Sequence, residues 1–550
     1  MSPRTWRSAR RLLWLLLICG LLLGGPAATA AASDASDHSP DTAGRIVELY
    51  PNPTTDGNRG EYATVRLSEP GDWTLTDGEG TVRLPSDKTG RFAATWAPDQ
   101  TTEYTDATPV AAGGSFRLAV SGETLRLKRD DRVVDTVRYT DAPESEQWRA
   151  DAGWQPLGFT RRAPVTARNV SVTSFVLPDD PAAPVDAISD ADERLYLAAY
   201  TLTDERVIDA LLAADQRGVD TAVLVEGDPV GGMTTRQAAA LDRLAAGGVA
   251  VNVMTGAAAR FRFHHAKYAV ADDRAVVLTE NWKPAGTGGA SSRGWGVTVD
   301  SERVADELAA IFDHDTTWKD TPRWTAVRSE IETVEADPST GSYPQRHPPQ
   351  PTTADAVRVL AAPDNAESEL VELIDRTDDR LLVVQPSIGS ADYALLRAAM
   401  RAAERGVTVQ ILLGGNWYNE DENEQLADQL RTNAADSEMP LSVRIAPDNR
   451  RFGKIHAKGI VADDTAVVGS LNWNNNSAEN NRELAVAITD PGVADYYRNV
   501  FMGDWQAGSK TGWLGGALPS SLPAGLLVVA VGVSSVTVLI AHRRLEFAER

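Results

Sequence analysis

A long internal repeat limits what this chain can fold into. In the first copy, a strand-like run at residues 192–197 precedes a helical pattern that ends at Gly218 and a second strand-like run. The second copy has the same order, from a run at residues 378–384 to a helical pattern that ends at Gly406. Strand, helix, glycine and strand in succession are typical of an α/β sheet. The offset of about 190 residues therefore predicts two α/β units in tandem.

Each copy carries one His-x-Lys-x4-Asp pattern. The six residues are His265, Lys267, Asp272, His456, Lys458 and Asp463. The chain has only seven histidines and eight lysines, so two pairs at identical spacing within a repeat argue against coincidence. The alternative is a protein that has kept the two motifs and lost the activity.

The spacing predicts how the motif side chains are directed. A His-Ala-Lys segment on a strand would point its histidine and lysine to the same face, with the alanine directed into the core. We expect the repeat to bring the twin motifs together across a pseudo-twofold axis. One site would then contain two imidazoles and two ammonium groups, and a monomer suffices to build it.

This set of groups suits the cleavage of a phosphodiester. One histidine can attack phosphorus and form a phosphohistidine, while the other protonates the leaving oxygen and then activates water or an alcohol. Imidazole suits both roles because its unperturbed pKa lies near neutrality. The lysines would neutralise the non-bridging oxygens, so no metal or other cofactor is required. We expect Asp272 and Asp463 to orient and polarise groups in the site.

A second short pattern follows each motif. Its polar residues are Thr279 and Asn281 in the first copy, and Ser470 and Asn472 in the second. The asparagines would add hydrogen-bond donors to the site, and both copies keep a hydroxyl. The first copy also has Glu280, which brings a negative charge near the site and makes the two halves unequal.

The paired motifs and the Gly-Ser-x-Asn that follows the second one resemble those of the phospholipase D superfamily, over about residues 165–507. The resemblance implies two phospholipase D-like α/β/α repeats that share one site, and phosphoryl transfer in two metal-independent steps through phosphohistidine. It assigns the nucleophile to His265 and the acid/base role to His456. It also implies that Glu483 supports a catalytic histidine, whereas the first copy has Gly294 instead of a glutamate.

The region before the repeats has a different pattern. Residues 44–164 contain many short strand-like runs separated by turn signals, which predicts a β-sandwich. Residues 46–53 and 73–77 resemble parts of a lamin-tail domain. That family implies an immunoglobulin-like fold and an accessory binding module without catalysis.

The N-terminus is typical of an export signal. Arginines precede an apolar run at residues 12–23, and small residues then offer a cleavage site. A signal peptide over residues 1–32 is therefore predicted, for export by ordinary secretion or by the twin-arginine route. The only cysteine, Cys19, lies in the apolar run, so the mature chain would have no disulfide.

The C-terminus predicts a membrane anchor. Residues 522–541 are uncharged and long enough to cross a bilayer. Basic residues 542–544 follow, and the positive-inside rule places this short tail in the cytoplasm. The two ends together predict an exported, extracellular body held at the cell membrane by one C-terminal transmembrane helix.

Composition also predicts the domain boundaries. The first repeat is expected at residues 165–320 and the second at residues 355–507. A segment rich in proline, serine and glycine, residues 336–354, is predicted to link them. The predicted class is thus α/β, with a β-sandwich before the repeats and a transmembrane helix after them.

The chain is strongly acidic, with a net charge of −23 spread along its length, and its basic residues are mostly arginine. This balance is typical of proteins adapted to very high salt. Net acidity normally argues against a nucleic-acid substrate. Concentrated salt screens the attraction to phosphates, however, so the sign of the charge decides little here.

Three functions are compatible with these patterns. The first is a membrane-anchored phosphodiesterase that acts on phospholipid by hydrolysis or headgroup exchange, because the anchor keeps the body near lipid. The second is a nuclease, because the superfamily includes DNA-cleaving members and lamin-tail-like modules accompany secreted nucleases. The third is a surface protein without catalysis that binds through the sandwich.

Overall fold

A computed structural model describes residues 43–507, apart from residues 114–115, 257, 417 and 447–450. The predicted signal peptide at residues 1–32 and the predicted membrane helix at residues 522–541 lie outside the described residues. Within the described ranges, no helix combines the length and apolar character that crossing a membrane requires.

The described residues of the N-terminal domain form ten strands, one short α-helix and one turn of 3-10 helix at Asp56–Asn58. The strands and the α-helix are β1 (Gly44–Tyr50), β2 (Tyr62–Leu67), β3 (Trp73–Thr76), β4 (Thr81–Arg83), β5 (Gly90–Thr95), α1 (Pro98–Thr101), β6 (Thr108–Ala111), β7 (Gly122–Arg129), β8 (Arg132–Thr140), β9 (Glu146–Arg149) and β10 (Gly153–Pro156). Six strands form one sheet, in the order β10-β9-β1-β2-β5-β6, and β4-β3-β7-β8 form another. Buried side chains of both sheets share one core, which is the arrangement of a β-sandwich. The likeness to a lamin-tail domain stays a prediction.

The first repeat alternates strands and helices. Its elements are β11 (Val165–Leu177), α2 (Ala183–Ser189), β12 (Arg194–Ala199), α3 (Glu205–Arg217), β13 (Asp220–Glu226), α4 (Thr235–Ala246), β14 (Ala250–Met254), β15 (Tyr268–Ala271), β16 (Arg274–Leu278), β17 (Ser292–Asp300), α5 (Glu302–Thr316) and α6 (Trp324–Val327). Helix α3 shows why such segments form here. Asp204 accepts a hydrogen bond from the backbone N–H of Arg206 at its start, and Gly218 ends it with a left-handed φ of 88°.

The second repeat has the same order of elements, with three differences among the described residues: it adds a two-residue strand at Lys454–Ile455 and a π-helical turn at Asn476–Asn480, and it has no counterpart of α6. Its strands and α-helices are β18 (Gln350–Ala362), α7 (Ala366–Asp375), β19 (Arg380–Gln385), α8 (Ala394–Glu404), β20 (Thr408–Gly414), α9 (Glu420–Asp436), β21 (Leu441–Ala446), β22 (Lys454–Ile455), β23 (Gly459–Ala462), β24 (Thr465–Gly469), β25 (Glu483–Thr489) and α10 (Pro491–Ala507). Strand β18 begins at Gln350, inside the predicted linker of residues 336–354. The linker composition misled the prediction there, because residues 350–354 are held as a strand by pairing with β11.

The two repeats share one 15-stranded sheet. Its order is β14-β13-β12-β15-β16-β17-β11-β18-β25-β24-β23-β19-β20-β21, and β22 pairs with β17. Strands β11 and β18 are antiparallel neighbours at the centre. The second half of this order repeats the first in reverse, with each strand replaced by its counterpart. A pseudo-twofold axis therefore passes between β11 and β18, and the predicted tandem α/β architecture is confirmed.

A buried arginine of the second repeat joins the two halves. Arg482 lies directly before β25, and its Nε and Nη2 atoms are each 2.9 Å from a carboxylate oxygen of Asp315 on α5 of the first repeat. Its Nη1 lies 3.0 Å from Asp364 of its own repeat. All three side chains are fully buried. Removing charges from water is costly, so each charge here needs its partners.

The first repeat has the counterpart of this cluster. Arg293 on β17 donates to Asp179 of its own repeat at 2.6 Å and lies 2.8 Å from Asp504 on α10 of the second repeat. Each arginine thus binds one carboxylate from each repeat. The two clusters cross the interface in opposite directions, as the pseudo-twofold axis requires.

The sandwich packs against the loop that precedes the first motif. A Cβ atom at Gly158 would lie 2.0 Å from the Phe261 ring, so the backbone approaches this ring as closely as only glycine allows. Lys319 donates to Thr102 O at 2.7 Å and pairs with Asp106 at 3.1 Å, both in the sandwich. The sandwich therefore holds the polypeptide that leads into His265.

Replacing Arg482 with methionine is expected to lower the free energy of unfolding by ~3–5 kcal/mol, because two buried carboxylates lose their cation. The measurement is the urea concentration at the midpoint of unfolding. The control is Arg274→Met, which breaks an exposed pair with Asp300 and should cost at most ~1 kcal/mol. Equal midpoints for the two variants would contradict this account of the repeat interface.

Candidate active site

The two motifs meet at the interface between the repeats. His265 lies before β15, and its backbone N–H donates to Arg482 O at 2.9 Å. His456 lies between β22 and β23, and its backbone N–H donates to Arg293 O at 3.0 Å. Each motif is thus held by the buried arginine of the other repeat. The predicted single site is formed, although each His-Ala-Lys segment precedes its strand instead of lying on it.

The motif alanines lie where the spacing predicted. Ala266 and Ala457 are fully buried in the core that spans both repeats. Their burial fixes the backbone between each histidine and its lysine, so the two polar side chains of a motif cannot turn independently of the core.

His265 is held by a buried carboxylate of the second repeat. Its Nδ1 lies 2.9 Å and 2.8 Å from the two carboxylate oxygens of Glu483, and Asn481 donates to the same carboxylate at 2.9 Å. Burial would raise the pKa of Glu483, but His265 and Lys267 lower it below its usual value. An ionised carboxylate only accepts hydrogen bonds, so Nδ1 carries the proton and Nε2 has a free lone pair.

The environment of His265 keeps its ring neutral. Burial lowers its pKa to about 4, and Lys267 acts in the same direction, whereas Glu483 opposes them. The Tyr200 ring packs edge-on against the imidazole, with ring centroids 4.9 Å apart. Tyr200 directly follows β12, and no sequence motif marked it.

His456 has a different set of partners. Its Nδ1 donates to the carbonyl oxygen of Thr279 at 3.0 Å, and the carboxylate of Glu280 is 3.3 Å from the same nitrogen. A carbonyl oxygen only accepts, so this ring also has its proton on Nδ1 and a free Nε2. Burial, Lys458 and Lys267 lower the pKa of His456 well below its usual value.

The two motif lysines supply positive charge that the protein does not neutralise by direct pairing. Lys267 donates to the carbonyl oxygen of its own His265, and Lys458 donates to His456 O at 2.6 Å. Within the described part of the chain, neither ammonium group has a carboxylate within ion-pair distance. Burial lowers the pKa of Lys458 to about 7 and that of Lys267 well below its usual range. An anion bound between them would stabilise their charged forms.

The motif aspartates are not in the site, so the prediction for Asp272 and Asp463 is wrong. Asp272 accepts hydrogen bonds from the backbone N–H groups of residues 192–194 at 2.8–3.0 Å, and Asp463 does the same for residues 378–380. The four residues between lysine and aspartate form a whole strand. The aspartate therefore lies at its far end, on the order of 20 Å from the histidine.

The hydroxyl groups of Thr279 and Ser470 form hydrogen bonds with the backbone of the sheet. Thr279 Oγ1 accepts from the backbone N–H of Trp295 at 2.9 Å, and Ser470 Oγ accepts from that of Leu484 at 3.0 Å. Asn281 is almost fully buried, and its Oδ1 has no hydrogen-bond partner among the described residues. Asn472 is half-buried. The predicted role of the asparagines in binding substrate stays a prediction.

In residues 43–507, outside the gaps, no three His, Cys, Asp or Glu side chains are grouped as the ligands of a metal ion would be. The motif lysines lie close enough to both histidines for their positive charges to lower the pKa of each imidazole.

This site, with paired motifs at the interface of two α/β repeats, is that of the phospholipase D superfamily. The sequence model of the family described as "Cardiolipin synthase, PLD-like domain" matches residues 185–316 and 370–505. These segments lie within the two repeats, and the chain belongs to this superfamily. The search of curated proteins found no match.

Three solved structures illustrate the likeness. Phosphatidylserine synthase of Haemophilus influenzae has 14% identity and a TM-score of 0.46, over 62% of this chain and 87% of that one. Polyphosphate kinase of Porphyromonas gingivalis has 14% identity and a TM-score of 0.40, over 63% and 51%. Nuc of Salmonella typhimurium, a phospholipase D family member, has 22% identity and a TM-score of 0.23, over 28% and 95%.

Replacing Asp272 with asparagine should lower stability by ~1–3 kcal/mol, because three backbone N–H groups lose a charged acceptor. Asparagine tolerates the left-handed φ of 54° at this position, so backbone strain does not confuse the result. The unfolding midpoint should fall, while kcat of the folded enzyme stays near the wild-type value. Asp273→Asn, at the exposed neighbouring position, is the control. A large loss of kcat with unchanged stability would show that Asp272 takes part in catalysis.

Proposed function

We propose that this chain is an exported, membrane-anchored phosphodiesterase that cleaves or transfers the headgroup of a phospholipid. One observation carries the chemistry: two histidines, each with Nδ1 engaged and Nε2 free, face a site with two lysines that have no ion-pair partner among the described residues. Neutral imidazoles supply a nucleophile and a base, and the ammonium groups stabilise negative charge on a phosphoryl group.

The reaction proceeds in two displacements. In the first, His265 Nε2 bonds to phosphorus as the bond to the leaving oxygen breaks. The bound phosphate anion stabilises the protonated form of His456, which gives that oxygen its proton. In the second, His456 takes a proton from water or an alcohol as the oxygen of that molecule bonds to phosphorus. The phosphorus–nitrogen bond then breaks, and its electron pair returns to His265.

The carboxylate of Glu483 supports the choice of His265 as nucleophile. A phosphorylated imidazole carries positive charge for the lifetime of the intermediate. The ionised Glu483, hydrogen-bonded to His265 Nδ1, stabilises that charge at short range. The hydrogen-bond acceptor at His456 Nδ1 is a backbone carbonyl without net charge. The Glu280 carboxylate lies farther from this nitrogen, at 3.3 Å, than the Glu483 carboxylate lies from His265 Nδ1, at 2.8 Å.

The membrane anchor predicted at residues 522–541 supports phospholipid as the substrate, and an acidic cavity lies beside the segments that lead into the site. This cavity of about 1100 Å³ lies between the sandwich and the repeats, and Arg262 and Asn480, close in sequence to His265 and Glu483, line it. Its acidic residues are Glu144, Glu226, Asp228, Glu330, Glu332 and Glu479.

The location of the enzyme is inferred from the ends of the sequence. Residues 1–32 would direct export, and residues 522–541 would hold the body at the outer face of the cell membrane, where its substrate is dissolved. The acidic composition supports work in concentrated salt.

The substrate can be tested with the full-length protein in detergent micelles, in concentrated salt with a chelator. We expect release of headgroup from phospholipid, no cleavage of single- or double-stranded DNA, and loss of turnover in His265→Asn and in His456→Asn. His314→Asn, outside the site, should retain activity. Cleavage of DNA without turnover of lipid would refute the lipid proposal.

The nucleophile can be identified in the same samples by acid quenching with a phosphorus-labelled phosphodiester that has a good leaving group. The label should be absent from His265→Asn. It should accumulate in His456→Asn, because a good leaving group needs no acid while the second step still needs a base. The opposite pattern would reverse the two roles.

The pH dependence of kcat/KM follows from the pKa values of the free enzyme. With a phosphodiester whose good leaving group needs no proton from His456, it should rise as pH increases through about 4, where His265 loses its proton, and fall as pH increases through about 7, where Lys458 loses its charge. Lys458→Arg keeps the cation at high pH, so the falling limb should move upward. If the falling limb does not move in this variant, a group other than Lys458 causes it.

A further inference from the structure

The pseudo-twofold axis leaves one histidine without the expected carboxylate. Glu483 pairs with Ala362 across β25 and β18, and the equivalent pair across β17 and β11 is Gly294 with Leu177. Position 294 is therefore the counterpart of position 483. Symmetry would place the carboxylate partner of His456 there, but the residue is glycine.

The side chain of Glu280 fills the space at that glycine. A Cβ atom at Gly294 would lie 2.1 Å from Glu280 Cγ and 2.7 Å from Glu280 Oε1. In the second repeat, the counterpart of Glu280 is Leu471, which follows Ser470 as Glu280 follows Thr279. The second repeat thus has Leu471 together with Glu483, and the first repeat has Glu280 together with Gly294.

Glu280 reaches His456 from this displaced position. Its carboxylate is 3.3 Å from His456 Nδ1, and the residue is 1% exposed. Its other oxygen, Oε1, is buried without a hydrogen-bond partner among the described residues. Among the described residues, His456 is the one cationic partner of Glu280 at ion-pair distance. Such a buried acid needs a compensating interaction, and His456 supplies one when it is protonated.

We propose that Glu280 is the positioning residue of His456. It lies on the segment after β16 instead of on β17, and the absence of a side chain at Gly294 leaves the space that it occupies. This inference rests on the proposed function, in which His456 becomes a cation when it takes the proton of water or an alcohol. The Thr279 carbonyl fixes the direction of the ring. Glu280 stabilises its cation in the second displacement.

The first test compares the two carboxylates by replacing each with its amide. Glu280→Gln should lower kcat by about 10- to 100-fold, with little change in KM. The loss should not exceed the ~10²–10⁴-fold that general acid–base catalysis contributes, because His456 itself remains. Labelled phosphoenzyme should accumulate, because the second step is slowed. Glu483→Gln should instead slow formation of the phosphoenzyme. The control is Glu61→Gln, a sandwich glutamate whose pKa burial also raises to about 7.

The second test moves the carboxylate back. Glu280→Leu combined with Gly294→Glu gives the first repeat the arrangement of the second, and it should recover most of the activity that Glu280→Leu loses. Gly294→Glu alone should be poorly active or unstable, since both side chains would occupy one space. A double variant no more active than Glu280→Leu overturns the proposal, as does wild-type kcat in Glu280→Gln.

A third measurement does not depend on turnover. Nitrogen NMR of labelled histidines follows the titration of His456, assigned by its loss in His456→Asn. Glu280→Gln should lower the pKa of His456 relative to wild type and Glu61→Gln, because a nearby negative charge is removed. An unchanged titration overturns the role of Glu280. An inactive wild type with the expected shift would refute the proposed function alone.

Discussion

Two buried arginine clusters control both the assembly of the repeats and the geometry of the site. The guanidinium of Arg482 is fixed by Asp315 and Asp364, and its backbone carbonyl accepts the N–H of His265. Arg293 serves His456 in the same way. Because a buried cation cannot leave its carboxylates without a large cost, the carbonyl cannot move either. The distance between the two motif histidines is therefore a property of the repeat interface, which neither repeat contains alone.

The sequence alone predicted the features of the fold and the site that depend on local pattern. The repeat, the two motifs and the buried alanines all follow from residue order and strand periodicity, and the family resemblance supplied Glu483. The motif aspartates were predicted wrongly for a physical reason. A spacing of four residues does not reveal that those residues form a strand, and a strand carries Asp272 to the opposite end of the sheet.

Other features depend on contacts between distant residues and have no local signature. The pairing of Arg482 with Asp315 joins positions 167 residues apart, and it requires the register of the central strands. In the sequence, Glu280 indicated only a negative charge near the site that makes the two halves unequal. Only the pairing of β16 with β17 shows that it lies in the space left by Gly294. The strand within the predicted linker was hidden because its stability comes from β11.

The two carboxylates differ in a way that matches two separate tasks. His265 and Lys267 lower the pKa of Glu483, so its charge is permanent near neutrality, whereas burial raises the pKa of Glu280 to about 7. A phosphorylated histidine is positive throughout the intermediate and benefits from a permanent counter-charge. An acid/base must release its proton as readily as it accepts it, and a stronger counter-charge would hold that proton. The unequal halves of this site therefore favour a division of labour, with His265 as nucleophile and His456 as acid/base.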